Sequence, residues 1–115
     1  MKNEAQLQSE CVKWFRLQYP HLKKLLFAIP NGGTRNKIEA VNLKRQGVVS
    51  GVADMFLSIG NMVFHGFYIE FKYGKNKVTQ NQKEFLQAVY EQGYQFAVVR
   101  DFDTFKELIE NYMKL

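Results

Sequence analysis

The segment Phe67-Tyr68-Ile69-Glu70-Phe71-Lys72 constrains the fold more than any other stretch of this chain. Its aromatic and β-branched residues favour an extended strand, and it is apolar enough to lie at the centre of a sheet. Alternate residues of a strand point to opposite faces. Glu70 and Lys72 therefore share one face, with Cα atoms ~6.6 Å apart, while Phe71 points into the other layer. An ordinary surface ion pair is the commoner meaning of Glu-x-Lys. In a strand this apolar, however, two charges are costly unless something pairs with them.

The rest of the chain supplies the cover such a strand needs. Leu7, Cys11, Trp14 and Phe15 recur at helical spacing over Glu4–Gln18, and Pro20 ends that helix. Leu25 to Ile29 reads as a short buried strand, stopped by the turn cluster Pro30-Asn31-Gly32-Gly33. A helix over Arg35 to Gln46 is closed by Gly47, and strands follow at Asp54–Ile59 and Phe67–Phe71. Thr79 and Gln82 form a capping box ahead of the stripe Phe85, Leu86 and Val89, and Gly93 ends that helix. Tyr94–Val99 reads as a strand, and Asp103 as the cap of a last helix with Phe105, Leu108, Ile109 and Tyr112 inward. The order α-β-α-β-β-α-β-α predicts an α/β fold, a mixed β-sheet flanked by helices on both faces. At 115 residues, with no linker, repeat or biased tract, it reads as a single domain over residues 1–115.

Asp54 and Glu70 are the two isolated acids of the central segment. A carboxylate pair offers hard oxygen ligands suited to Mg²⁺ or Mn²⁺. A lysine beside it can position a water or face the charge that builds on a phosphate. Together these parts suit metal-assisted phosphodiester cleavage. The hypothesis carries a geometric condition. A tight turn at Gly60-Asn61 would pair Asp54 with Phe67 and send the two acids to opposite faces. A shared site therefore requires a bulge, for which Gly66 is the natural candidate, or a longer loop over roughly Ile59 to His65, which is the preferred reading.

Charge distribution points to a polyanionic partner. The net charge is +5, and residues 13–50 hold eight cations against Glu39 alone. Lys72, Lys75, Lys77 and Lys83 form a second basic group, whereas the tail from Glu84 onward is acidic. Arg35, Lys37, Lys44 and Arg45 from the first block, with Lys75 and Lys77 from the second, are candidate DNA-phosphate contacts. The same lysines also fit merely solvated faces. The lone Cys11 excludes an internal disulfide and fits a reducing cytoplasm. No run approaches ~18 apolar residues and no charged-then-apolar leader opens the chain, so neither a membrane span nor a secretion signal is expected.

Five motifs, in order, carry a resemblance. They are Asn3-Glu4-Ala5-Gln6-Leu7-Gln8, Pro30-Asn31-Gly32-Gly33-Thr34-Arg35, Gly47-Val48 with Gly51-Val52-Ala53-Asp54-Met55, Ile69-Glu70-Phe71-Lys72, and Gln80-Asn81-Gln82. Together they resemble the VRR-NUC domain, the virus-type replication-repair nuclease branch of the PD-(D/E)XK superfamily, in its short phage and prophage form. The resemblance implies a restriction-endonuclease-like core and DNA cleavage dependent on Mg²⁺ or Mn²⁺, with no organic cofactor. It makes Asp54 and Glu70 metal ligands, with the peptide oxygen of Phe71 as a further one, and Lys72 the catalytic lysine. Gln82 matches the family's glutamine on the helix after the catalytic strand, and Glu4 the acid of its first helix. It also implies a homodimer acting on branched DNA, including four-way (Holliday) junctions, in the cytoplasm of a bacterial or phage-infected cell. A non-catalytic DNA-binding module, or a nuclease acting on flaps or RNA, is the alternative.

The residues speak to two of these roles independently. At ~100° per residue, Glu4 falls within the sector of Leu7, Cys11 and Phe15, while Glu10 lies ~60° outside Leu7, so Glu4 is chosen as the site acid. Gln82 sits at the edge of its helix's buried face, where a capping role and a site role are compatible. His21 and His65 lack metal-type spacing, Cys11 reads as a small buried hydrophobe, and the glycine-rich turn lacks the Gly-Lys-Ser/Thr of a phosphate-binding Walker loop.

Overall fold

A computed structural model describes residues 3–30 and 37–115 of the protein. Helix α1 spans Glu4–Gln18 and starts from Asn3, whose side-chain oxygen accepts the Gln6 N–H at 2.9 Å. Pro20 does end it, and then opens a 3-10 turn over Pro20–Leu25 that the residue pattern did not indicate. The remaining elements are β1 (Leu26–Ala28), α2 (Lys37–Arg45), β2 (Met55–Leu57), β3 (Phe67–Phe71), α3 (Gln80–Glu91), β4 (Gln95–Val99) and α4 (Phe102–Lys114). The expected order is present, and β3 has the expected bounds. The strands β1 and β2 are shorter than the apolar runs that signalled them, because pairing holds for only three residues of each. The cap of α4 is Asp101, not Asp103: its carboxylate accepts the Thr104 N–H at 2.8 Å, and Asp103 lies in the helix's first turn.

The sheet order is β1-β2-β3-β4, antiparallel except for the parallel pair β3 and β4. One face is the hydrophobic core. Phe67, Ile69 and Phe71 of β3 and Met55 and Leu57 of β2 meet Leu7, Cys11 and Phe15 of α1 and Phe105, Ile109 and Tyr112 of α4. All of these side chains are buried, and the strict alternation along β3 is what aims them at one layer. The other face carries α3 on an aromatic bed, with Tyr68 stacked edge-on against Phe85 and tilted over Phe56 at a ring distance of 4.5 Å.

The hairpin between β2 and β3 decides where the acids go. Met55 pairs with Ile69, Phe56 with Tyr68 and Leu57 with Phe67, so the connection runs from Ser58 to Gly66. This is the longer loop, and no tight turn forms at Gly60-Asn61. Asn61 closes it internally, accepting from the Val63 and Phe64 N–H groups, and donates its amide to the Tyr112 carbonyl. Gly66 does not make a bulge. It is required because a Cβ there would stand 2.6 Å from the Phe56 ring.

Candidate active site

Carrying the β2–β3 register one residue further sets Asp54 directly opposite Glu70, on the face shared with Lys72. Asp54 lies just before β2, where the ladder ends, and its carboxylate takes over the bonding: Oδ2 accepts the Phe71 N–H at 2.7 Å. Its own carbonyl accepts the Ile29 N–H at 2.8 Å, which ties the acid to the end of β1. Leading into it, Gly51 has φ +89°, and a Cβ there would lie 2.6 Å from the Asn81 carbonyl carbon. The approach segment is thus pressed against the first turn of α3, where Asn81 also donates to Ser50 Oγ at 3.1 Å.

That same turn delivers Gln82. Its backbone N–H donates to Thr79 Oγ1, and its Oε1 accepts the Thr79 N–H at 2.9 Å, completing the capping box. With Oε1 so engaged, Nε2 is turned inward and donates to Glu70 Oε2 at 2.9 Å. One amide therefore caps a helix and fixes a carboxylate. Lys72 places Nζ 3.9 Å from the same oxygen. Among the described residues, Glu70 (2% exposed) and Lys72 (8%) are the charged residues that are buried.

Burial is the main reason both acids hold protons more tightly than usual. Desolvation raises the Asp54 carboxyl, against the lowering effect of the Phe71 N–H. Desolvation, then the Asp54 charge, pushes Glu70 up to about 8, with Lys72 opposing. Glu4 adds its negative charge to both. The two carboxyls act on each other's protonation, so the pair titrates as a unit. A buried acid pair that Lys72 only partly offsets, with two adjacent hard oxygen donors, is a chemical fit for a divalent cation. Among the described residues no group of three or more His, Cys, Asp or Glu side chains forms a metal cage, so a cation here would complete its shell with peptide oxygens and water.

Asp54, Glu70, Lys72, Gln82 and Glu4 are thus brought together from four separate stretches, Glu70 and Lys72 sharing one. Glu4, half-buried at the start of α1, accepts from the Asn76 amide at 2.7 Å. Glu10 lies six residues further along α1, lining a cavity with Leu7, Tyr73, Arg100 and Phe102. Lys75 and Lys77 flank Asn76 on the exposed loop after β3. Lys37, Lys44 and Arg45 are exposed on α2, which buries none of its residues. The Asn31–Arg35 turn, including the phosphate contact expected of Arg35, lies outside the described residues. Cys11 is fully buried, its thiol pushed up to about 12 by desolvation, which makes it inert as a nucleophile. Asn76 and Arg100 escaped the sequence reading: each looks like an ordinary surface residue, and only the folded loop gives either a long-range partner.

Residues 2–102 match the VRR-NUC domain family. The chain belongs to that family. A solved structure of a "VRR_NUC domain protein" superimposes on this VRR-NUC chain with a TM-score of 0.87 at 28% identity, covering 100% of this chain and 91% of that one. No curated protein matches significantly. The VRR-NUC domain is a nuclease-type domain, and its mixed sheet between helices has the architecture of that neighbour. Among the described residues no helix is long and apolar enough to cross a membrane.

Proposed function

We propose that this VRR-NUC domain is a DNA endonuclease that uses Mg²⁺ or Mn²⁺ and acts on branched substrates such as four-way junctions, as a homodimer. The observation that carries the reading is the register that sets Asp54 beside Glu70, with Lys72 and Gln82 converging on one Glu70 oxygen. Asp54, Glu70 and the peptide oxygen of Phe71 would hold the cation, which supplies Lewis-acid polarisation of the phosphate and a more acidic water. Lys72 orients the attacking water and faces the negative charge that grows on the phosphate. Gln82 keeps the Glu70 carboxylate in a single orientation, and burial of the strand excludes competing solvent. Lys37, Lys44, Arg45, Lys75 and Lys77, with Arg35, grip the DNA backbone. A second copy would bring a second site to the symmetric arms of a junction.

The test is a substrate panel of duplex, single strand, flap, four-way junction and matched RNA, each with Mg²⁺, Mn²⁺ or chelator. Metal-dependent cutting of the junction into symmetric products, lost in Asp54→Asn, is the expected result. Binding without cutting in every arm would make the protein a non-catalytic DNA-binding module, and preferential cutting of RNA or flaps would redirect the substrate.

A further inference from the structure

Glu4 is poorly placed to hold a fixed position by itself. It is the first residue of α1, and helix ends open before helix centres. Its carboxylate is nonetheless held, by Asn76 Nδ2 at 2.7 Å, from a loop 72 residues away in the chain. That loop, 73–78, leaves the sheet directly after Lys72 and is itself secured from the next strand. Arg100, the residue following β4, donates Nη1 to the Asn76 carbonyl at 2.8 Å and to the Gly74 carbonyl at 3.2 Å. The Asn76 N–H closes the turn onto the Tyr73 carbonyl at 3.3 Å. The links run in series: Arg100 holds the Asn76 backbone, the Asn76 amide holds Glu4, and the Glu4 charge acts on Asp54 and Glu70. The clamp also fixes Lys75 and Lys77 on either side of Asn76.

We propose that Asn76 and Arg100 are positioning residues of the nuclease, Asn76 by orienting Glu4 and Arg100 by fixing the loop that carries Asn76, Lys75 and Lys77. This rests on the proposed DNA cleavage and adds a division of labour to it. Asn76 acts on the chemical step alone. Arg100 acts on that step and on the grip of the loop lysines on DNA.

The experiment is steady-state cleavage of the preferred DNA of the panel with Mg²⁺, using wild type, Asn76→Ala, Arg100→Ala, Arg100→Lys, Glu4→Ala and the Glu4→Ala/Asn76→Ala double variant. Asn76→Ala is expected to lower kcat about 10-fold with KM unchanged, as loss of an outer-shell partner does. In the Glu4→Ala background the same substitution should cost nothing further, because the group it orients is gone. Arg100→Ala should lower kcat and raise KM together, and Arg100→Lys should recover part of both. Asn76 and Arg100 are exposed, so melting temperatures should stay close to wild type. Losses at Asn76 and Glu4 that multiply in the double variant, or an Asn76→Ala enzyme with wild-type kcat, would overturn the proposal while leaving DNA cleavage standing. A wild-type protein that cuts no nucleic acid would overturn both.

Discussion

Glu70 is the side chain on which the contacts of the candidate site converge. Its Oε2 accepts from Gln82 and faces the Lys72 ammonium, its carboxyl contacts Asp54, and almost none of it reaches solvent. Removing the Lys72 amine should therefore cut the cleavage rate by about 10²–10³-fold, the usual cost of a preorganised donor. DNA affinity measured by fluorescence anisotropy should barely move, because Lys72 is buried and the candidate DNA-contacting lysines are the exposed ones. A wild-type rate from Lys72→Ala would remove this residue from the mechanism. A pH effect follows from the same burial. Folding raises the Glu70 carboxyl from 4.5 to about 8, so across that window the folded chain holds a proton the unfolded chain has released. Stability is then fully present below 4.5 and is lost as pH rises through 8. In chelator, thermal melts should show a lower Tm at pH 8.5 than at pH 5, and Glu70→Gln should flatten that dependence. Mg²⁺ should raise Tm at the higher pH more than at the lower, since ions and protons compete for the same oxygens. A metal-independent melting curve at pH 8.5 would argue against the pair as a ligand.

At the scale of elements, α3 shows how much of the site was legible in the sequence. Its capping box was readable from Thr79 and Gln82 alone, because the pattern is local and the hydrogen bonds lie within one turn. The second bond of Gln82, to Glu70, could be placed only at the edge of the buried face. Which acids meet was harder to read. The spacing of Asp54 and Glu70 fits either face until the loop length is fixed, and the loop is set by contacts to Tyr112 that no local pattern reveals. Gly66 is fixed by the Phe56 ring, which excludes a Cβ there, a contact across the hairpin that its sequence neighbours do not show. Two substitutions separate these roles. Thr79→Ala should cost about 1 kcal/mol of stability through the lost cap, and cleavage should fall less than in Gln82→Ala, which also frees Glu70. Gly66→Ala should destabilise by about 1–3 kcal/mol by overpacking, read from denaturant melts, and shaving Phe56 to Leu in the same chain should restore part of that.

The whole molecule divides its charge unevenly, and that division should be visible in solution. The cations of α2 and of the loop after β3 are exposed, while Glu70 and Lys72 are buried between the sheet and α3. DNA affinity should fall steeply with salt, and neutralising Lys75 or Lys77 should each reduce the slope of log affinity against log salt by about 1. An unchanged slope would place that lysine off the backbone. The sheet, meanwhile, works as a partition with one shared wall. Along β3, odd-numbered positions 67, 69 and 71 build the apolar interior with α1 and α4, and position 70, followed by 72, looks the other way. Parity along six residues thus assigns each side chain either to the interior built with α1 and α4 or to the layer beneath α3. A slip of one residue in the pairing of this strand would exchange the two sets, sending the charges into the interior and the apolar side chains out of it.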